Sequence, residues 1–96
     1  MNPSQPIDVS DAAMVRVHVL FFGVLAQQVG RPHLLLELKT QPATVESAVT
    51  RLQEHFPSIA MLRNKLAFAV NLEYVPATCE LKDRDELALI PPVSGG

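Results

Sequence analysis

The sequence predicts an α+β domain in which one amphipathic helix packs across one face of a mixed sheet. Three observations carry that expectation. Two β-type runs, residues 15–22 and 33–39, come first; residues 44–56 repeat their apolar positions at helical spacing; and further β-type segments follow, ending in Leu87-Ala88-Leu89-Ile90. Strands on both sides of a single strong helix bury their apolar faces best as a helix laid over a sheet. Ninety-six residues suffice for one domain with a single core, and a second domain is not expected.

Residues 1–13 contain two prolines, two serines and two aspartates, with Ile7 and Val9 as the large apolar residues. So little apolar surface does not offset the entropy of ordering, and a disordered leader is expected, the domain starting at Met14. From Val15 the residues alternate. Val15, Val17, Val19 and Phe21 share one face, while Arg16, His18, Leu20 and Phe22 share the other, which turns apolar toward its end and hints at an interface. Gly23 breaks this run, residues 24–29 form a short helical turn, and Gly30-Arg31-Pro32 leads into a second strand with Leu34, Leu36 and Leu38 on its buried side.

Thr44 is the expected N-cap of the main helix, with Glu46 adding a favourable charge at the positive end of the dipole. Val45, Ala48, Val49, Leu52 and Phe56 then line one face, and Pro57 is expected to stop the helix after Phe56. Residues 59–64 suit a second short helix or an irregular connection. A third strand over 66–70, a turn at Asn71-Leu72, a short extended piece through Tyr74 and Val75, a charged turn at 82–85 and a last strand over 86–90 complete the reading.

Composition narrows the function. Net charge is −2 and no long block of Lys or Arg occurs, so the electrostatic footprint of a nucleic-acid or anionic-membrane binder is missing. The single cysteine, Cys79, permits no internal disulfide; no apolar stretch has the length of a membrane span; and the charged-then-apolar pattern of a secretory signal is lacking. A cytoplasmic, soluble protein is the expectation. His18, His33 and His55 are scattered without acidic or thiol partners at metal-ligand spacing. The four glycines, Gly23, Gly30, Gly95 and Gly96, make no phosphate-cradling loop. Residues able to form a conventional catalytic or cofactor site are not apparent.

What stands out is the ending, Pro91-Pro92-Val93-Ser94-Gly95-Gly96, set directly behind a β-type run. Two prolines end sheet pairing and send the chain away extended, and two glycines strip the terminus of side chains. At roughly 3.3 Å per residue the six project on the order of 20 Å, a thin stalk ending in a main-chain carboxylate. This tail resembles that of the molybdopterin synthase small subunits, the MoaD family of ubiquitin-like sulfur carriers, whose members end in Pro-Pro-Val-Ser/Thr-Gly-Gly. Residues 17–22 (Val-His-Val-Leu-Phe-Phe), Ala69-Val70-Asn71 and Asp85-Glu86-Leu87 add to the likeness, which spans about Met14 to Gly96.

The resemblance implies a β-grasp, ubiquitin-like domain over residues 14–90 with residues 91–96 as an extended tail. In that fold the first and last strands lie side by side and parallel, which brings Phe22 and Ile90 to the same end of the sheet. It further implies that Phe22, Tyr74 and Ile90, with Pro91, Pro92, Val93 and Ser94, meet a large synthase subunit of the MoaE type, in a complex expected to be a heterotetramer. The Gly96 carboxylate, made accessible by Gly95, would be adenylated with ATP by a MoeB-type enzyme and then converted to a thiocarboxylate by a sulfur donor. The charged tail would then deliver sulfur to cyclic pyranopterin monophosphate. No cofactor is expected to be bound permanently, and catalytic side chains would come from the partner. Sulfur carriers for thiamine or tRNA thiolation share the fold and the Gly-Gly end but generally lack the Pro-Pro-Val approach. A ubiquitin-like modifier joined to lysines through Gly96, and a plain interaction domain with an incidental Gly-Gly, are the readings from other classes.

Overall fold

The computed structural model describes residues 14–39 and 42–92. The expected leader and the segment 93–96 lie outside the described residues. In chain order the elements are β1 (Val15–Phe21), α1 (Gly23–Val29), β2 (His33–Leu38), α2 (Val45–Gln53), α3 (Pro57–Leu62), a 3₁₀ turn over Arg63–Lys65, β3 (Ala67–Val70), β4 (Glu73–Val75) and β5 (Glu86–Ile90). The strands form one mixed sheet in the order β2-β1-β5-β3-β4. β5 therefore lies at the centre, parallel to β1 on one side and antiparallel to β3 on the other. The expected α+β sheet with one main helix across a face is the architecture observed.

Alternation along the strands decides the layers. Val17, Val19 and Phe21 of β1, Leu36 and Leu38 of β2, and Leu87 and Leu89 of β5 are buried. They form one core with Leu25 of α1, Ile59 of α3, and Val45, Ala48, Val49 and Leu52 of α2. Each fully buried Val, Leu or Ile side chain among them contributes roughly 1.5–3 kcal/mol. Phe56 packs edge-on against Phe21, ring centroids 6.2 Å apart.

α2 starts where expected. Ser47 donates its backbone N–H to Thr44 Oγ1 at 3.1 Å, and Thr44 returns its own N–H to Ser47 Oγ at 2.8 Å, a reciprocal capping box. The helix does not reach Phe56. It ends at Gln53, because a residue before proline is pushed out of the α region, and Phe56, at φ −129° and ψ 95°, is extended. Pro57 closes one helix by that effect and opens the next as the first residue of α3.

Two turns fix the lower end of the sheet, away from the tail. Asn71 and Leu72 join β3 to β4, both at positive φ, which suits the twist of a two-residue hairpin. Asn71 is pinned by its N–H to the Glu86 carbonyl (2.9 Å), by its Nδ2 to Asp85 Oδ1 (2.9 Å) and by accepting the Glu86 N–H (3.0 Å). The charged turn docks on the start of β1 through the Arg16 N–H donating to Asp83 Oδ1 at 2.8 Å.

Candidate functional site: the tail root and the open sheet face

The partner of each strand residue shows which side chains share the face opposite the helices. Tyr74 pairs with Ala69, Ala69 with Ala88, Ala88 with Leu20, and Leu20 with His33. These residues make one row across all five strands. Ile90, paired with Ala67, stands on the same face one step nearer the tail. The helices send their apolar residues to the other face, so among the described residues this one is uncovered. Tyr74 is 77% exposed and Leu35, on the same face beside His18, is 53% exposed. Ala69 and Ala88 are buried only because they are short and flanked by taller neighbours, which makes the middle of the face a shallow apolar floor.

At the upper end of this face the chain leaves the sheet. The parallel ladder of β1 and β5 runs to Phe21 opposite Leu89, and the Phe22 N–H extends it by donating to the Leu89 carbonyl at 3.3 Å. Phe22, still extended and 47% exposed, is the N-cap of α1 and lies beside the end of β5. The expectation that Phe22 and Ile90 share an end of the sheet thus agrees with the register. Ile90 and Pro91 are half-buried and Pro92 is exposed. Tyr74 lies farther off, two strands from β5, so about 10 Å of sheet separates it from the tail root. Val93, Ser94, Gly95 and Gly96 lie outside the described residues.

Nothing at the tail root resembles a catalytic apparatus. Among the described residues no group of three or more His, Cys, Asp or Glu is placed to hold a metal ion. His18 and His33 sit on neighbouring strands facing Leu35 and Leu20, and His55 follows α2. Cys79 is half-buried with its Sγ 3.5 Å from the Glu80 carbonyl, on the segment whose carbonyls receive the first amides of α2. A shallow depression of about 410 Å³ along α2 is lined by Thr44, Glu46, Ser47, Thr50, Arg51 and Glu54, away from Pro91. No described helix is long and apolar enough to cross a membrane.

Two features of this region escaped the sequence reading. One is the alanine floor, for which the alternation of Ala69 between Phe68 and Val70 and of Ala88 between Leu87 and Leu89 was the available signal. The other is Gly23, read as a strand breaker, which is the first residue of α1 at φ +55° and lies against Pro91.

Comparison with known proteins adds a frame. The family model described as the ThiS family matches residues 19–96. The chain is similar to the molybdopterin synthase sulfur carrier subunit of Arabidopsis thaliana, 34% identical over 90 residues, which cover 94% of this chain and 93% of that protein. Among solved structures it is similar to SAMP1, the small archaeal modifier protein 1, of Haloferax volcanii, with a TM-score of 0.74 and 26% identity over 84% of this chain and 99% of that one. A complex of subunits 1 and 2 of the molybdopterin-converting factor from Helicobacter pylori is matched with a TM-score of 0.59 and 22% identity, over 85% of this chain and all of that one, a likeness of fold.

Proposed function

The chain belongs to the ThiS family, and from that premise we propose that it is the sulfur-carrying subunit of a molybdopterin synthase, with the Gly96 carboxylate as the carrying group. The observation that carries this reading is the coincidence, at one end of the sheet, of an uncovered apolar face with the root of a Pro-Pro-Val-Ser-Gly-Gly tail. Such a chain is a handle and a stalk. It offers a surface to be held by and an end narrow enough to enter another protein's active site.

The chemistry follows from what a carboxylate lacks. Its leaving group would be oxide, so it does not exchange oxygen for sulfur unaided. Attack of a Gly96 carboxylate oxygen on the α-phosphorus of ATP, in a MoeB-type enzyme, releases pyrophosphate and leaves an acyl adenylate. Sulfide-level sulfur from a donor then adds to the acyl carbon, AMP departs with the C–O electron pair, and a thiocarboxylate remains. This group is a better nucleophile than a carboxylate and stores sulfur without an oxidisable cysteine. The open face, with Phe22, Tyr74 and Ile90, docks on a MoaE-type large subunit while Pro91, Pro92 and Val93 aim the tail, and sulfur passes to cyclic pyranopterin monophosphate. A dithiolene has two sulfur atoms, so each product consumes two charged carriers, which accords with a heterotetramer presenting two tails.

One residue appended after Gly96 tests this directly. The extended chain is expected to fold as before and to give no thiocarboxylate by intact mass spectrometry and no sulfur transfer; retained transfer overturns the reading. The likeness to SAMP1 favours one second reading, a protein modifier joined to lysines through Gly96. Recovery of isopeptide-linked adducts in place of a thiocarboxylate identifies it.

A further inference from the structure

We propose that the free edge of β2 is a self-complementary interface, through which two copies of this chain pair antiparallel about Leu35 and join their sheets into one. The inference goes beyond the carrier reading and does not depend on it. β2 has β1 on one side and, among the described residues, no strand on the other. The Phe21 N–H donates to the Pro32 carbonyl at 2.8 Å, which makes Phe21 and Pro32 a hydrogen-bonded pair of the ladder that joins β1 to β2. Such pairs alternate along an antiparallel ladder. Leu34, Leu36 and Leu38 therefore also bond to β1, while His33, Leu35 and Glu37 turn their N–H and C=O groups to the free side. All three are exposed. The edge lacks the usual protection against pairing. Its sequence, His33-Leu34-Leu35-Leu36-Glu37-Leu38, holds neither proline nor glycine, and its inward-facing side chains are all leucine. The other edge of the sheet, β4, is by contrast only three residues long and is followed at once by Pro76.

The order of residues along β2 selects a second copy as the occupant. Placing Leu35 of one copy opposite Leu35 of the other sets His33 of each opposite Glu37 of the other, and every outward N–H and C=O of the three residues then finds its counterpart within the strand. A shift of two residues either way leaves one of the three unpaired within the strand and separates His33 from Glu37. In the chosen register an imidazole stands across from a carboxylate, with Cβ atoms roughly 4.5–5.5 Å apart. Glu37 is already steadied by Arg16, whose Nε lies 3.4 Å from its Oε2. On the inner face Leu34 falls opposite Leu36 of the second copy, beside a groove of about 450 Å³ that Leu36 lines with Arg51 of α2 and His55. An antiparallel join at an edge keeps like faces together, so both open faces lie on one side of the combined sheet. The tail roots point to opposite ends, and β5 stands one strand further in than β1, clear of the join.

Sedimentation equilibrium of the full chain from ~1 μM to ~1 mM is expected to show the mass rising toward twice that of one chain. Amide hydrogen exchange at the upper concentration is expected to slow at His33, Leu35 and Glu37 relative to the dilute chain, and to stay unchanged in β4. Leu35→Lys brings two ammonium groups together at the symmetry axis and is expected to leave a folded monomer throughout, since the side chain it replaces is 53% exposed. His33→Glu sets a carboxylate opposite Glu37 of the second copy and is expected to weaken association about tenfold; adding Glu37→Lys restores opposite charges and is expected to recover it. A chain that stays monomeric at the top of the range overturns the proposal. So does a dimer whose His33, Leu35 and Glu37 amides exchange as in the dilute chain, because association then runs through the open face or another surface. Should Leu35→Lys not fold, the charge exchange decides: a double variant that associates no better than His33→Glu alone overturns the proposal, and recovery supports it.

Discussion

On the inner face of the sheet Val17, Val19, Leu87 and Leu89 are fully buried under the helices, whereas on the open face Tyr74 and Leu35 stand more than half exposed. Alternation supplies both kinds within a single strand, since β2 carries the buried Leu36 and Leu38 beside the exposed Leu35, so the contrast does not come from local sequence preference. It comes from what lies above each face. The inner residues hold the domain together, and the outer ones contribute little to that because they remain in water. Apolar side chains held in a row on a rigid sheet, without cover from the described residues, are suited to burial by another protein.

Substitutions on the two faces should therefore separate stability from binding. The largest stability effect is expected for Leu87→Ala at the centre of β5. It leaves a cavity in the core and should cost about 2–5 kcal/mol in urea unfolding, a large share of the ~5–15 kcal/mol typical of such a domain. Tyr74→Ala on the open face should change stability by less than ~0.5 kcal/mol, yet, under the proposed function, weaken binding of a MoaE-type partner about tenfold or more by calorimetry. Equal effects of both substitutions on folding would erase the distinction between the faces. The smallest change is expected for Arg16→Ala. Its ion pair with Glu37, 3.4 Å between Nε and Oε2 and half exposed on both sides, should contribute at most ~0.5 kcal/mol and respond weakly to salt.

Features governed by neighbours in sequence were legible from the sequence. Alternation identified the inner residues of β1, β2 and β5, and Thr44 was readable as a cap because its hydroxyl acts within one turn. The reciprocal bond from Ser47 was less so, since that position of a capping box is usually Glu or Gln. Strand order is a long-range property that alternation alone does not fix; the parallel pairing of the first and last strands was expected from the family resemblance, and the pairing of β5 with β3 is a finding of the structure. Leu72 in a left-handed turn ran against its own preference, and the bonds that pin the preceding Asn71 reach across to Asp85 and Glu86. The approach of Pro91 to Gly23, close in space and remote along the chain, was hidden for the same reason.

The central place of β5 also has a mechanical consequence. The tail hangs from the middle of the sheet, so tension along it pulls β5 lengthwise between two neighbours. The ladders to β1 and β3 then share the load in shear, many hydrogen bonds at once, where an edge strand would peel away one bond at a time. In the proposed carrier role, a tail that enters one protein and then another is anchored where the domain best resists being unravelled.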